Sequence, residues 1–182
     1  CSAVRVSASP NARDSGWFRQ ALRTRNFSVG QFHFGGITGK AVLTMAYPAI
    51  GGGEVAAVVF ASLDLAWLNR YLSESLLPPG SVLSVIDRRG TVLARYPDPE
   101  FWVGENIGET PLAWEILTHP QGGVTEARGM DDIPRLYAYA PLAPALTQGV
   151  YVYVGIPGAV AYAEPERVLR RNLLGLGLVA LL

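Results

Sequence analysis

Few side chains in this sequence stand where they could do chemistry together. Asp64 is the most suggestive, because it closes the apolar run Val58-Val59-Phe60-Ala61-Ser62-Leu63 just before a helical stretch. An aspartate at that point caps a helix by accepting from its first backbone N–H groups. It also suits the rim of a cavity, where a carboxylate would hold a cation or an amine, and the two readings are compatible. His33 and His119 have no Cys or second His at ligand spacing, so neither is read as a metal ligand. His33 is read as a surface or cavity-wall residue, and His119 as a cation suited to a helix C-terminus. Asp131-Asp132 falls in a turn, where aspartate is favoured for backbone reasons. Gly35-Gly36-Ile37-Thr38-Gly39-Lys40 fails as a phosphate loop, since Phe34 and Ala41 stand where a glycine and a Ser or Thr are needed. Cys1 has no base near it in sequence. No cofactor or metal is expected, and the chain is not read as an enzyme.

The elements that must position these residues occur twice. Displacing the stretch Val42 to Leu65 by 93 positions aligns it with Arg135 to Gly158. Leu43 then meets Leu136, Pro48 meets Pro141, Val59 meets Val152 and Leu63 meets Ile156. Upstream, Gly30 meets Gly123, Gly36 meets Gly129, and the helical run Phe18 to Arg25 meets Pro111 to Thr118. What repeats is a pattern: helix, strand, glycine turn, strand ending in Pro, loop, strand. Two copies are too few for a solenoid and point to two related α+β modules in tandem.

Within the first copy, Ser15-Gly16 opens a helix over Trp17 to Arg25 with Trp17, Phe18, Ala21 and Leu22 on one face. Phe27 to Phe34, Ala41 to Ile50 and Val55 to Leu65 read as strands, the last two joined at Gly51-Gly52-Gly53. So apolar a hairpin is expected to be buried on both faces or to line a cavity. Leu65, Leu68, Leu72 and Leu76 recur at helical spacing until Leu77-Pro78-Pro79-Gly80 stops them. The module boundary is placed there, giving residues 1–77 and 78–163. The second copy adds an opening hairpin, Ser81 to Asp87 and Thr91 to Tyr96. A loop, a helix capped by Thr110, and strands Val124–Arg128, Arg135–Ala140 and Val150–Ile156 follow. That order predicts a five-stranded antiparallel sheet crossed by a helix. The first copy lacks the opening hairpin, so it is expected to be incomplete at its N-terminus.

Bulk composition narrows the function. The chain of 182 residues is 49% hydrophobic and 16% charged, with 15 basic and 15 acidic residues balancing to zero. That suffices for packed cores and gives no basic stripe for a phosphate backbone, so nucleic acid is not an expected partner. Leu173 to Leu182 are all apolar or glycine, behind Arg167, Arg170 and Arg171. Residues 164–182 are read as an exit helix running into the start of a transmembrane segment, since a span needs roughly 20 such residues.

Trp17-Phe18-Arg19-Gln20-Ala21-Leu22, Gly36-Ile37-Thr38-Gly39-Lys40, Ala46-Tyr47-Pro48 and Ser62-Leu63-Asp64-Leu65, in this order, resemble the double Cache family. These are tandem PAS-like sensor domains, found outside the membrane in bacterial histidine kinases, diguanylate cyclases and chemoreceptors. Ile86-Asp87-Arg88-Arg89-Gly90-Thr91-Val92-Leu93-Ala94-Arg95 resembles the opening hairpin of the membrane-proximal module, and Gly155-Ile156-Pro157 its closing strand. The resemblance covers nearly all of residues 1–163. It implies an α+β fold of two Cache modules, each an antiparallel sheet with flanking helices. It also implies a periplasmic location on the inner membrane, flanking spans, a homodimer and a cytoplasmic output domain.

The resemblance further implies that a small molecule binds the membrane-distal module, residues 1–77. Amino-acid-sensing relatives hold the ligand carboxylate with an Arg two residues before the Trp, and the amine with a Tyr-x-Asp and a later Asp. Here Trp17 and Asp64 match, but Ser15 replaces the Arg and Phe32-His33-Phe34 the Tyr-x-Asp. A standard α-amino acid is therefore not expected. The expected site combines Trp17, Phe32, Phe34, Met45 and Tyr47 as a cavity for a more apolar or aromatic ligand, with Arg23, Arg25, His33 and Asp64 as polar anchors. The alternative is a structural or dimerisation spacer without a small ligand.

Overall fold

The structure, a computed structural model, describes residues 12–36, 38–142 and 149–163 of the chain. Strand-forming runs broken by glycine turns build two antiparallel sheets. The first has three strands in the order β1 (Ser28–Phe34), β2 (Ala41–Gly51), β3 (Glu54–Asp64). Gly52 and Gly53 turn β2 into β3 at φ 62° and 85°, a left-handed pair that residues with a Cβ seldom adopt. Helix α1 (Gly16–Thr24) lies on one face of this sheet, where Trp17 and Ala21 pack against Ala46 with Phe18 and Val58 beside them. Gly30 makes this approach possible: a Cβ there would come within 2.8 Å of Trp17 Cβ and 3.0 Å of the Thr44 carbonyl oxygen.

Helix α2 (Leu65–Ser73) starts where β3 ends, with Asp64 as its N-cap. Its leucine face is a wedge between the sheets. Leu65 and Leu72 are buried in one cluster with Leu43 of β2 and with Val85, Leu93, Ala94 and Val150 of the second sheet. Burying a leucine in this way contributes about 1.5–3 kcal/mol. Asn69 adds a polar tie by accepting from the Arg95 backbone N–H at 2.9 Å.

The second sheet has β4 (Val82–Asp87), β5 (Val92–Tyr96), β6 (Gly123–Arg128), β7 (Pro134–Pro141) and β8 (Val150–Pro157), in the order β5-β4-β8-β7-β6. Every pairing is antiparallel. Between β5 and β6 come α3 (Pro99–Trp102) and α4 (Pro111–Thr118), and α5 (Gly158–Ala161) follows β8. Leu112, Ala113 and Ile116 of α4 bury themselves on Tyr137, Tyr139, Tyr151 and Tyr153. Thr110 caps α4 through its side chain, accepting from the Ala113 N–H at 3.2 Å. The 93-residue offset carries α1, β1, β2 and β3 onto α4, β6, β7 and β8.

Three expectations differ from what is found. The helical leucine spacing runs on to Leu76, but α2 ends at Ser73: Glu74 N–H turns back to the Tyr71 carbonyl and Leu76 is fully exposed. The loop after β5 contains the short helix α3, whose Trp102 stacks over the Arg95 guanidinium at 4.8 Å. The β2–β3 hairpin is not buried on both faces. Among the described residues β3 is an edge strand with no neighbour beyond it, and Val59 is 65% exposed. Among the described residues no helix is long and apolar enough to cross a membrane. The expected exit helix and membrane segment, 164–182, and the first eleven residues lie outside the described residues.

Candidate functional site

A concave region that gathers expected site residues lies between α1 and β1, where the β4–β5 turn of the second sheet comes alongside. Asp87 shapes that turn, its Oδ1 accepting from the Arg89 and Thr91 N–H groups at 2.8 and 2.9 Å. Arg89 then reaches across and donates from Nη1 to Gln31 Oε1 of β1 at 3.0 Å. Beside it, Phe32 packs on the second half of the chain, its ring so near Gly104 that a Cβ there would lie 3.0 Å from Cζ. The result is a cleft of about 640 Å³ whose walls include Trp17, Phe32, His33, Arg19, Arg23 and Arg88.

His33 is held in one orientation. Its Nδ1 lies 2.9 Å from the Gln31 carbonyl oxygen, which can only accept, so Nδ1 carries the proton. In the neutral ring Nε2 then accepts from Thr44 Oγ1 at 3.3 Å, and Thr44 accepts from Ser62 Oγ at 2.8 Å. This polar row crosses all three strands of the first sheet on the face that α1 covers. Trp17 meets Phe60 on the same face, ring centroids 4.6 Å apart.

Of the expected site residues, Trp17, Phe32 and His33 line the cleft, as does Arg23. Five lie outside it. Arg25 ends α1 in the left-handed conformation at φ 51° and donates to the Gly53 carbonyl oxygen at 3.2 Å. Phe34 is 68% exposed and meets Phe32 edge-on. Met45 and Tyr47 alternate with Ala46 along β2, so they face away from α1. Asp64 caps α2, accepting from the Ala66 N–H at 2.9 Å, and pairs with Lys40 Nζ at 2.9 Å. The Lys40 hydrogen bond, then the Ala66 N–H, hold its carboxyl below the ordinary aspartate value. Both oxygens of Asp64 are thus engaged within the protein.

Arg19, Gln20, Gln31 and Arg88 also line the cleft and were not legible as site residues. Arg19 and Gln20 sit on the polar side of an amphipathic helix, which ordinarily means solvent. Arg88 is far away in sequence. Elsewhere, Asp131 is more than a turn residue: it holds the buried Arg135 guanidinium through two hydrogen bonds of 2.7 and 2.6 Å. Asp132 turns the chain at φ 60°. Among the described residues no three His, Cys, Asp or Glu side chains gather as a metal site.

No protein-family model and no curated protein matches the sequence. Solved structures do match. The extracellular domain of rpHK1S-Z16, a histidine kinase by assignment, superposes with a TM-score of 0.73 at 16% identity, over 87% of this chain and 66% of that one. The periplasmic sensory domain of the Campylobacter jejuni chemoreceptor Tlp1 gives 0.68 at 14%, over 83% and 57%. The chain has the fold of these sensor domains. The ligand-binding domain of the Pseudomonas aeruginosa amino acid chemoreceptor PctB, in complex with L-Gln, gives 0.65 at 21%, over 88% and 63%. The expectation of an α+β sensor-domain fold is therefore matched in three dimensions. The chain spans about two thirds or less of each neighbour's length.

Proposed function

We propose that this chain is the extracytoplasmic ligand-sensing part of a transmembrane signalling receptor of the histidine kinase, diguanylate cyclase or chemoreceptor type. The observation that carries the reading is the α1–β1 cleft, formed on a fold whose neighbours are sensor domains. Residues 1–77 and 78–163 are the two PAS-like modules, and residues 164–182 lead from the second towards the membrane. The first sheet is completed by further strands beside β3, because its counterpart β8 is flanked by β4 and then β5. The receptor works as a homodimer, and the domain itself catalyses nothing.

A ligand that binds one arrangement of the cleft more tightly shifts the population towards it. The cleft borders both sheets, and α2 is packed between them, so such a shift reaches the second sheet as a small rigid displacement. The packing of Leu65 and Leu72 between the sheets also suits a stiff spacer without a ligand, which is the second reading. A thermal-shift screen of organic acids, amino acids, aromatic acids, amines and purines separates the two. A compound at 100 times its Kd should stabilise the fold by about 2.7 kcal/mol. Stabilisation lost in Trp17→Ala establishes a sensor with its pocket here; a panel without effect favours the spacer.

A further inference from the structure

We propose that the cleft takes a small organic anion bearing at least two negative groups, clamped between Arg19 and Arg23 of α1 and Arg88 of the β4–β5 turn. This rests on the reading of the cleft as the ligand site and names the ligand's chemical class. The chain as a whole is electrically balanced, with 15 basic and 15 acidic residues, yet among the described residues the fully charged side chains lining the cleft are all arginines, with no Asp or Glu. None of the three arginines takes part in an ion pair among the described residues; those pairs are formed by Lys40, His119, Arg128 and Arg135.

Arg19 and Arg23 are four residues apart, so they project from one side of α1 and repel each other. Arg88 is brought in from the opposite wall by a turn pinned by Asp87 and by the Arg89–Gln31 bond, with Gly149 against its stem. Concentrated positive charge on two facing walls is relieved by an anion that reaches both. Guanidinium groups are the side chains best shaped to hold carboxylate or phosphate through paired hydrogen bonds. The described lining offers no carboxylate to pair with a ligand ammonium, which favours an anion over a zwitterionic amino acid. Trp17 and Phe32 supply apolar wall for a short carbon skeleton, and His33, Gln20 and Gln31 supply neutral polar groups. The anion bridges elements of both sheets, so its arrival alters their contact directly.

The test is nuclear magnetic resonance titration of the full 182-residue chain with citrate, succinate, glycerol phosphate, succinamide and glutamine, at fixed ionic strength. Arg88→Gln and the pair Arg19→Gln with Arg23→Gln are compared with Arg70→Gln, an exposed position on α2 outside the cleft. Saturable movement of the Trp17 indole signal with citrate, succinate or glycerol phosphate is expected, weakened about tenfold or more in either cleft variant and unchanged in Arg70→Gln. The carboxylate and phosphate arms tell which anionic group is preferred. Succinamide or glutamine binding as tightly as the anions, with the cleft variants unaffected, overturns the anion assignment and leaves the sensor reading intact. Failure of every compound to move the Trp17 signal overturns the anion assignment, and the sensor reading is then decided by the wider thermal-shift panel.

Discussion

Arg135 grips Asp131 across the β6–β7 turn with two parallel hydrogen bonds, 2.7 Å from Nη1 and 2.6 Å from Nη2, while its Nε donates to the Gly80 carbonyl at 2.8 Å. The guanidinium side is 3% exposed and the carboxylate side 31%. One arginine thus anchors both a hairpin of the second sheet and the segment that leads into it from α2. Replacing Asp131 by Asn leaves a buried cation without its counter-charge and should cost about 3 kcal/mol at neutral pH. The Arg135 hydrogen bond, foremost, holds the Asp131 carboxyl below its ordinary value of 3.8. A depressed folded value means stability that is fully present above pH 3.8 and lost as pH falls through the folded value. Denaturant melts between pH 7 and 2 should show the wild-type advantage over Asp131→Asn constant down to about pH 4 and shrinking below it. An advantage that grew on acidification would contradict the ion pair.

Gly155 faces the Tyr137 ring, which fills the space a side chain would need. Tyr137 is itself fully buried among the tyrosines beneath α4 and has nowhere to go. Gly155→Ala should therefore destabilise by about 2–3 kcal/mol through overpacking. Gly158→Ala, whose new methyl would meet Tyr162 at an ordinary 3.8 Å, should stay within about 0.5 kcal/mol of wild type. Urea midpoints for the pair give the comparison at once.

Gly30→Ala tests how the cleft is built. The added methyl meets Trp17 Cβ and a backbone oxygen of Thr44, neither of which is a flexible tip, so α1 must lift from β2. A loss of about 2 kcal/mol is expected, together with a weakened near-ultraviolet circular dichroism signal from the tilted Trp17–Phe60 pair. An unchanged spectrum and midpoint would mean that α1 can shift without cost.

Asp64 offers a cleaner separation of roles. Asn caps a helix nearly as well as Asp, whereas Ala does not, so Asp64→Ala should lower the urea midpoint measurably and Asp64→Asn much less. The Lys40 pairing is exposed and screened by solvent, so Lys40→Ala is expected to be mild. Asp64 stands outside the cleft, and ligand affinity should therefore be unaltered in Asp64→Asn. A ligand lost in that variant would return the aspartate to the binding site.

Much of this architecture could be read before folding, and the reason is that its signals are local. Thr110 and Asp64 sit at helix starts with hydroxyl or carboxylate positioned to cap, and paired glycines with positive φ mark the β2–β3 turn. In the second sheet β4 with β5 and β6 with β7 and β8 pair as hairpin neighbours, whereas the β4–β8 pairing that joins them is long-range. The cleft was only half legible. Trp17 and His33 could be named from one stretch of chain, but Arg88 enters through a contact between β1 and a turn near residue 89, which no periodicity reports. Met45 and Tyr47 carry the apolar character of a pocket wall, yet alternation turns them to the other face. The exposure of β3 was hidden for a related reason: composition records what a strand can bury against, and only topology records whether anything is there.

Among the described residues β3 has no outer neighbour, and this bears on how the protein behaves as a material. Along β3, Val59 and Phe60 are 65% and 46% exposed, and an eleven-residue row of backbone donors and acceptors runs beside them. Proteins usually blunt such rows with charge, proline or a bulge, and from Val55 to Leu63 this one has none of the first two. Where no further strand covers β3, the chain should become progressively stickier with concentration, templating strand-by-strand association of identical chains in solution. A single lysine at Val59 or Ala61 should suppress that growth while leaving the cleft on the other side of the sheet untouched.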